Sequence, residues 1–200
     1  QLLKEKNPDC SIRVNTNLST TQTGIFELLC EFKKVHWTVS IDSIKREYEY
    51  IRHLGKWDDF NKNLDVITNL KHKISFNMLH FILNYNSIHD CVAYLKSKGF
   101  HDNSFIIGPV SGPSWLNILN LPDAMMENIK ATLKEKLNND PKGYLKNSYE
   151  NLLKYYDTTQ WQKNMKGFYY NIGKMDQRRK LDSKEIFHDL FMELDLHGLE

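Results

Sequence analysis

Residues 35–42, VHWTVSID, alternate strictly between apolar and polar. Val35, Trp37, Val39 and Ile41 fall on one side, and His36, Thr38, Ser40 and Asp42 on the other. That period of two predicts a strand with one apolar and one polar face. The same pattern recurs over 11–17, where Ile12, Val14 and Thr16 oppose Arg13, Asn15 and Asn17. Over 73–80, Ile74, Phe76 and Met78 oppose Ser75 and Asn77. Residues 104–110, SFIIGPV, form a shorter apolar run that predicts a fourth strand, with Pro109 and Pro113 marking irregular chain after it.

Helical spacing fills the gaps. Ile25, Leu28, Leu29 and Phe32 predict a helix over 23–33, with cap residues at 19–22. Ser43 suits the N-cap of a helix over 44–53, and Phe60, Leu64, Ile67 and Leu70 make a stripe over 57–70. Asn86 or Ser87 caps a helix to 98 that Gly99 ends, and Leu121-Pro122-Asp123 opens another to about 137. NNDPKG then breaks the chain, and three helical pieces are expected at 144–156, 160–170 and 183–194. Residues 1–6 read as the end of a helix and 7–10 as a loop.

Four strand–helix units in succession imply parallel pairing with right-handed crossovers, so the expected class is α/β. Residues 1–137 form the expected α/β unit and 138–200 a helical C-terminal extension. Parallel strands covered on both faces normally read as continuous apolar runs, and three of these strands do not. Their polar faces are expected to line one shared concavity, suited to a polar ligand held by several hydrogen bonds. The alternative is a sheet whose second face is simply solvated.

Composition narrows the partners. The apolar fraction is 40% and the net charge is +2, which gives no general reason to expect nucleic acid or an anionic membrane. No apolar run approaches the roughly 18 residues of a membrane span. The opening QLLKEKNPDC has no apolar stretch of signal-peptide type, and the expected location is cytoplasmic. Cys10, Cys30 and Cys91 are far apart, with no CxxC or CxxxCxxC, which argues for reduced core thiols and against a cysteine-ligated metal site in this chain.

Several short motifs, in order, resemble the radical S-adenosylmethionine enzymes, and more narrowly the group named for a twitch domain. These are the T-N pair in Asn15-Thr16-Asn17, the S-hydrophobic-D of Ser40-Ile41-Asp42, and the YIR of Tyr50-Ile51-Arg52. Trp57 with its amphipathic helix follows, and the tail carries a D-x-x-R at Asp176 and Arg179. The resemblance covers most of the chain. It implies a partial (β/α) TIM-like barrel, truncated at its N-terminus, since the chain begins with Gln1 in what reads as the helix before a third strand. The family's CxxxCxxC is absent. The resemblance therefore implies the C-terminal portion of an enzyme that uses S-adenosylmethionine and a [4Fe–4S] cluster, with an electron donor and a substrate that can be a peptide. This chain alone, without the three cysteine thiolates, is expected to be inactive.

By the same resemblance Ser40 and Asp42 lie near the cofactor's ribose or amino-acid end, Arg52 pairs with its carboxylate, and Asn15, Thr16, Asn17 and Asn77 contact ligand from neighbouring strand ends. Each has a plainer reading. Ser40 and Asp42 serve as caps, Arg52 pairs with Glu47, Glu49 or Asp59, Asn15–Asn17 make a turn, and Asn77 is a satisfied polar group. His36 reads as a hydrogen-bonded structural residue, His80 is ambiguous, the aromatic tail (Trp161, Phe168, Tyr169, Tyr170) reads as core, and Gln177–Lys180 as a solvated turn. Two other functions stand beside the first: a non-catalytic binding module that kept the half-barrel, and an unrelated α/β enzyme. The latter lacks a G-x-S-x-G or a phosphate-cradling glycine loop. If strands precede 11–17 in the parent, that strand is an exposed edge, and self-association is expected.

Overall fold

The computed structural model describes residues 5–7, 9–20 and 24–198. Residues 1–4 of the expected helix end, residue 8 of the expected loop, and residues 21–23 at the expected cap lie outside the described residues.

The chain forms an α/β structure on a four-stranded parallel sheet. The strands are β1 (Ser11–Thr16), β2 (Lys34–Ser40), β3 (Lys73–His80) and β4 (Phe105–Pro109), hydrogen-bonded in the order β1-β2-β3-β4. Helices fill the crossovers: α1 (Gly24–Cys30), then α2 (Lys45–Ile51) with α3 (Trp57–Asn69), then α4 (Ile88–Ser97). Strict sequential order with right-handed crossovers places these helices on one side of the sheet. The remaining helices are α5 (Asp123–Asn139), α6 (Lys146–Thr158), α7 (Met165–Arg179), α8 (Ser183–Ile186) and α9 (His188–Leu196).

The helix-covered face buries Val35, Trp37, Val39, Ile41, Phe76, Met78, Phe105 and Ile107. Aromatic rings from the crossovers pack there: Phe26 lies 5.5 Å from Trp37, and Phe76 lies 4.7 Å from Phe100. The segment after 137 joins the same core, through Leu145, Tyr149, Leu152, Tyr156, Phe168, Ile172, Phe191 and Leu194. Helix α6 also closes the outer edge of β4, where the Ile107 N–H donates to Ser148 Oγ at 3.1 Å. The other edge of the sheet, β1, pairs with β2 alone among the described residues.

Three local expectations change. Ser43 is not a cap: α2 starts at Lys45, and the Ser43 hydroxyl is turned onto the Glu47 carboxylate. The tail helix expected at 160–170 runs instead from Met165 to Arg179. Asn164 caps it by accepting the Gly167 N–H at 2.8 Å, and Phe168 and Ile172 are buried along it. Gln177–Arg179 are therefore helical rather than a turn, and Lys180, with φ of 54°, makes the left-handed stop. Among the aromatic tail residues Phe168 is core, whereas Tyr170 is exposed.

Candidate functional site

The second face of the sheet is where the polar positions gather. The register sets Asn15 beside Thr38 beside Ser75, and Ser40 beside Asn77 beside Ile106. Arg13, His36 and Lys73 form a further row toward the strand starts. Asn15 and Ile106 are exposed, Thr38, Ser40 and Asn77 are half-buried, and Ser75 is buried. His36 Nε2 lies 2.8 Å from Ser75 Oγ, so His36 has a structural partner. Burial, then the charges of Lys73 and Arg13, hold its pKa below the ordinary value, which keeps the ring neutral at pH 7. The side chains of Asn15, Thr38, Ser40 and Asn77 have no hydrogen-bond partner among the described residues. This is a partly exposed polar surface, and the four side chains present amide and hydroxyl groups able both to donate and to accept.

The residues at the strand ends behave differently. Thr16 and Asn17 build a turn: Thr16 Oγ1 accepts the Leu18 N–H at 3.0 Å, and Asn17 Oδ1 accepts the Ser19 N–H at 3.1 Å. Together they hold Leu18 at a φ of 52°, with its carbonyl taking a bond from Asn63 Nδ2 at 2.7 Å. A buried leucine at positive φ needs such support, because a bulky side chain is strained there.

Asp42 is buried, and its carboxylate is fully engaged. Oδ2 accepts from the Arg52 guanidinium, and Oδ1 accepts the Leu79 N–H at 2.8 Å. Burial raises its pKa, outweighing the pull of Arg52 and of the Leu79 N–H. Asn84 completes the corner. Its amide donates to the carbonyls of Asp42 and Leu79, both at 2.7 Å, while its oxygen accepts the Phe81 N–H. Asp42 and Arg52 thus lock the end of β2 to the end of β3 and to the end of α2. The structure brings Asn15, Ser40 and Asn77 onto one open face, and assigns Thr16, Asn17, Asp42 and Arg52 to the rim that supports it.

Two further polar centres form around residues whose roles the sequence left open. Glu47 collects the hydroxyls of Ser43 and Ser87, joining α2 to the start of α4. His80 is fully buried at the end of β3, with Nε2 at 2.9 Å from the Tyr85 carbonyl and Nδ1 at 2.7 Å from the Tyr156 hydroxyl. The carbonyl can only accept, so Nε2 carries the proton and Nδ1 accepts from Tyr156. Asn63 had one readable signal: it stands on the stripe of Phe60, Leu64 and Ile67, where a polar residue must find a partner. Asn84 and Glu47 had none, because each adds to its local partners one some 40 residues away, Asp42 for Asn84 and Ser87 for Glu47.

Cys91 is buried and its thiol is pushed well up by burial, and Cys30 is raised by burial and by Glu27. No group of three or more metal-ligating side chains comes together among the described residues. No helix of the described residues is long and apolar enough to cross a membrane. Compared with protein families, with curated proteins and with solved structures, the chain finds no match.

Proposed function

We propose that the open polar face of the sheet binds S-adenosylmethionine, and that the chain is the cofactor-binding half of a radical S-adenosylmethionine enzyme of the twitch group. The observation that supports this reading is the set Asn15, Thr38, Ser40 and Asn77: side by side, without internal partners, on a face that parallel sheets normally cover. The sequential strand order suits a piece of a (β/α) barrel with that face turned to its lumen. Amide and hydroxyl groups fit ribose hydroxyls and an ammonium. Arg52 does not fit the role of carboxylate clamp while it is committed to Asp42, so the methionyl end is held by the open-face amides.

The dispersed cysteines Cys10, Cys30 and Cys91 do not fit the ligand set of a [4Fe–4S] cluster. In this reading the cluster, the electron donor's docking site and the rest of a peptide-sized substrate site belong to another segment. The second reading, a binding module without catalysis, draws on the same cysteine arrangement.

Isothermal titration with S-adenosylmethionine tests the proposal. Asn77→Leu and Ser40→Ala are the informative variants, because both alter the open face without touching the rim; Asp42→Ala would disturb the β2–β3 corner itself. Binding that weakens about tenfold in Asn77→Leu supports the reading. Absence of heat in the wild type, or unchanged affinity in both variants, rejects it for this face.

A further inference from the structure

Away from the sheet face, a cavity of about 340 Å³ opens between α4, the end of α5 and the start of α6. Its lining includes the apolar side chains of Val92, Ala93 and Leu145, together with Tyr149. Three lysines, Lys96, Lys136 and Lys146, face two carboxylates, Asp102 and Asp140, so the lining carries one more positive than negative charge. Lys96 is matched by Asp102 at 2.8 Å, and Lys146 reaches Glu150 only at 3.7 Å. Lys136 is half-buried and forms no ion pair among the described residues.

His89 lies in the same wall. Its ring stacks edge-on to Tyr149 at 5.9 Å, and neither ring nitrogen has a hydrogen-bond partner among the described residues. Burial, with the Lys136 charge next in weight, pushes its pKa down to about 3. It therefore stands neutral at pH 7, with one N–H free to donate. A negatively charged oxygen in the cavity would give the Lys136 ammonium a counter-ion and the His89 imidazole an acceptor.

We infer that this cavity is an anion site, and that it takes a phosphoryl group. The donor set decides between phosphate and carboxylate. A carboxylate is best matched by the planar fork of an arginine, and the cavity has none; lysine ammoniums act as separate point charges and suit a tetrahedral dianion. The Asn139 side chain adds an amide to the same wall. The apolar part of the lining suits the organic portion of a small phosphorylated molecule.

The test uses the intact chain and potassium phosphate at pH 7.5, with ionic strength held constant by potassium chloride. The His89 ring proton resonances, assigned through His89→Gln, report on the site by nuclear magnetic resonance. Phosphate should shift them along a saturating curve and raise the apparent pKa of the ring, because the bound dianion stabilises its protonated form. Lys136→Met keeps the aliphatic stem and removes the charge; it should weaken the titration about tenfold or more. Lys146→Gln, at a more exposed position, should weaken it less and serves if Lys136→Met fails to fold. A His89 signal that chloride moves as much as phosphate, or a titration unchanged in the lysine variants, overturns the inference.

Discussion

The hydroxyl of Tyr50 donates to Oδ1 of Asp176 at 2.7 Å, joining positions 126 residues apart. Asp176 Oδ2 accepts from the Ser183 hydroxyl at 2.7 Å, and Arg179 donates to the Tyr50 carbonyl while its guanidinium lies 5.5 Å from the Tyr50 ring. The YIR segment and the D-x-x-R segment are thus two halves of one latch. It ties α2, beside the sheet, to α7 and α8. Tyr50 is fully buried, so its hydroxyl has no water to fall back on.

Tyr50→Phe removes one buried hydrogen bond to a charged group, and about 1–2 kcal/mol of stability should go with it. Asp176→Ala strands both Tyr50 and Ser183 and should cost more. Urea unfolding of the two variants checks this. Equal midpoints for wild type and Tyr50→Phe would mean that the tail is held by its apolar contacts alone.

Arg52→Met should destabilise the chain by about 2–3 kcal/mol at pH 7, because it leaves the buried Asp42 carboxylate without its counter-charge. Asp42 already has a pKa raised by burial in the wild type. Its native state therefore holds a proton more readily than the unfolded chain. The stability linked to this group is fully present below the unfolded carboxylate pKa and is lost as pH rises through the folded one. Without Arg52 the folded value moves higher still. The gap between wild type and variant should then narrow as the pH falls from 7 toward 4. A gap independent of pH would show that Arg52 acts through packing rather than charge.

The strands were readable because burial on one face forces alternation: Trp37, Val39 and Phe76 point into the helices, while Thr38, Ser40 and Asn77 point away. Helix α7 extends past the expected end at 170 for a physical reason. Gly173 and the run Gln177–Lys180 look like breaks, but Phe168, Ile172 and Met175 keep the helical stripe across them, and burial of the first two outweighs the roughly 1 kcal/mol cost of a helical glycine. The site divided along similar lines. Period-two patterning identified the open face, whereas the Asp42–Arg52 pair and the Asn84 corner depend on which loops meet. No local pattern carries that. A carboxylate at a strand end looks the same whether it faces ligand or guanidinium.

The two sheet edges differ in a way that bears on self-association. At β4 the Ser148 hydroxyl takes the Ile107 N–H, and α6 covers the strand. At β1 no strand or helix among the described residues does the same. An uncovered edge offers unpaired backbone groups to a second copy. Sedimentation from low to high micromolar concentration should therefore show a rising average mass. A single monomeric species across that range would mean that this edge is protected in solution.

His80 should make the fold acid-sensitive. Burial pushes its pKa down to about 4 from an ordinary 6.5, against the pull of the Tyr85 carbonyl. Below pH 6.5 the unfolded chain takes up a proton that the native ring refuses until about pH 4, so stability present at neutral pH is lost across that window, by about 3 kcal/mol in full. Protonation would also set an N–H against the Tyr156 hydroxyl, which now donates to Nδ1. The buried Asp42 changes in the opposite sense, and His89 in the same sense, so the His80 share is read from a variant. His80→Gln can still donate to the Tyr85 carbonyl but does not titrate. It should be less stable than wild type at pH 7 and lose less on acidification, so that the two unfolding midpoints converge between pH 6.5 and pH 4.5. Midpoints that stay parallel would place the acid sensitivity elsewhere, with His89 the next group to replace.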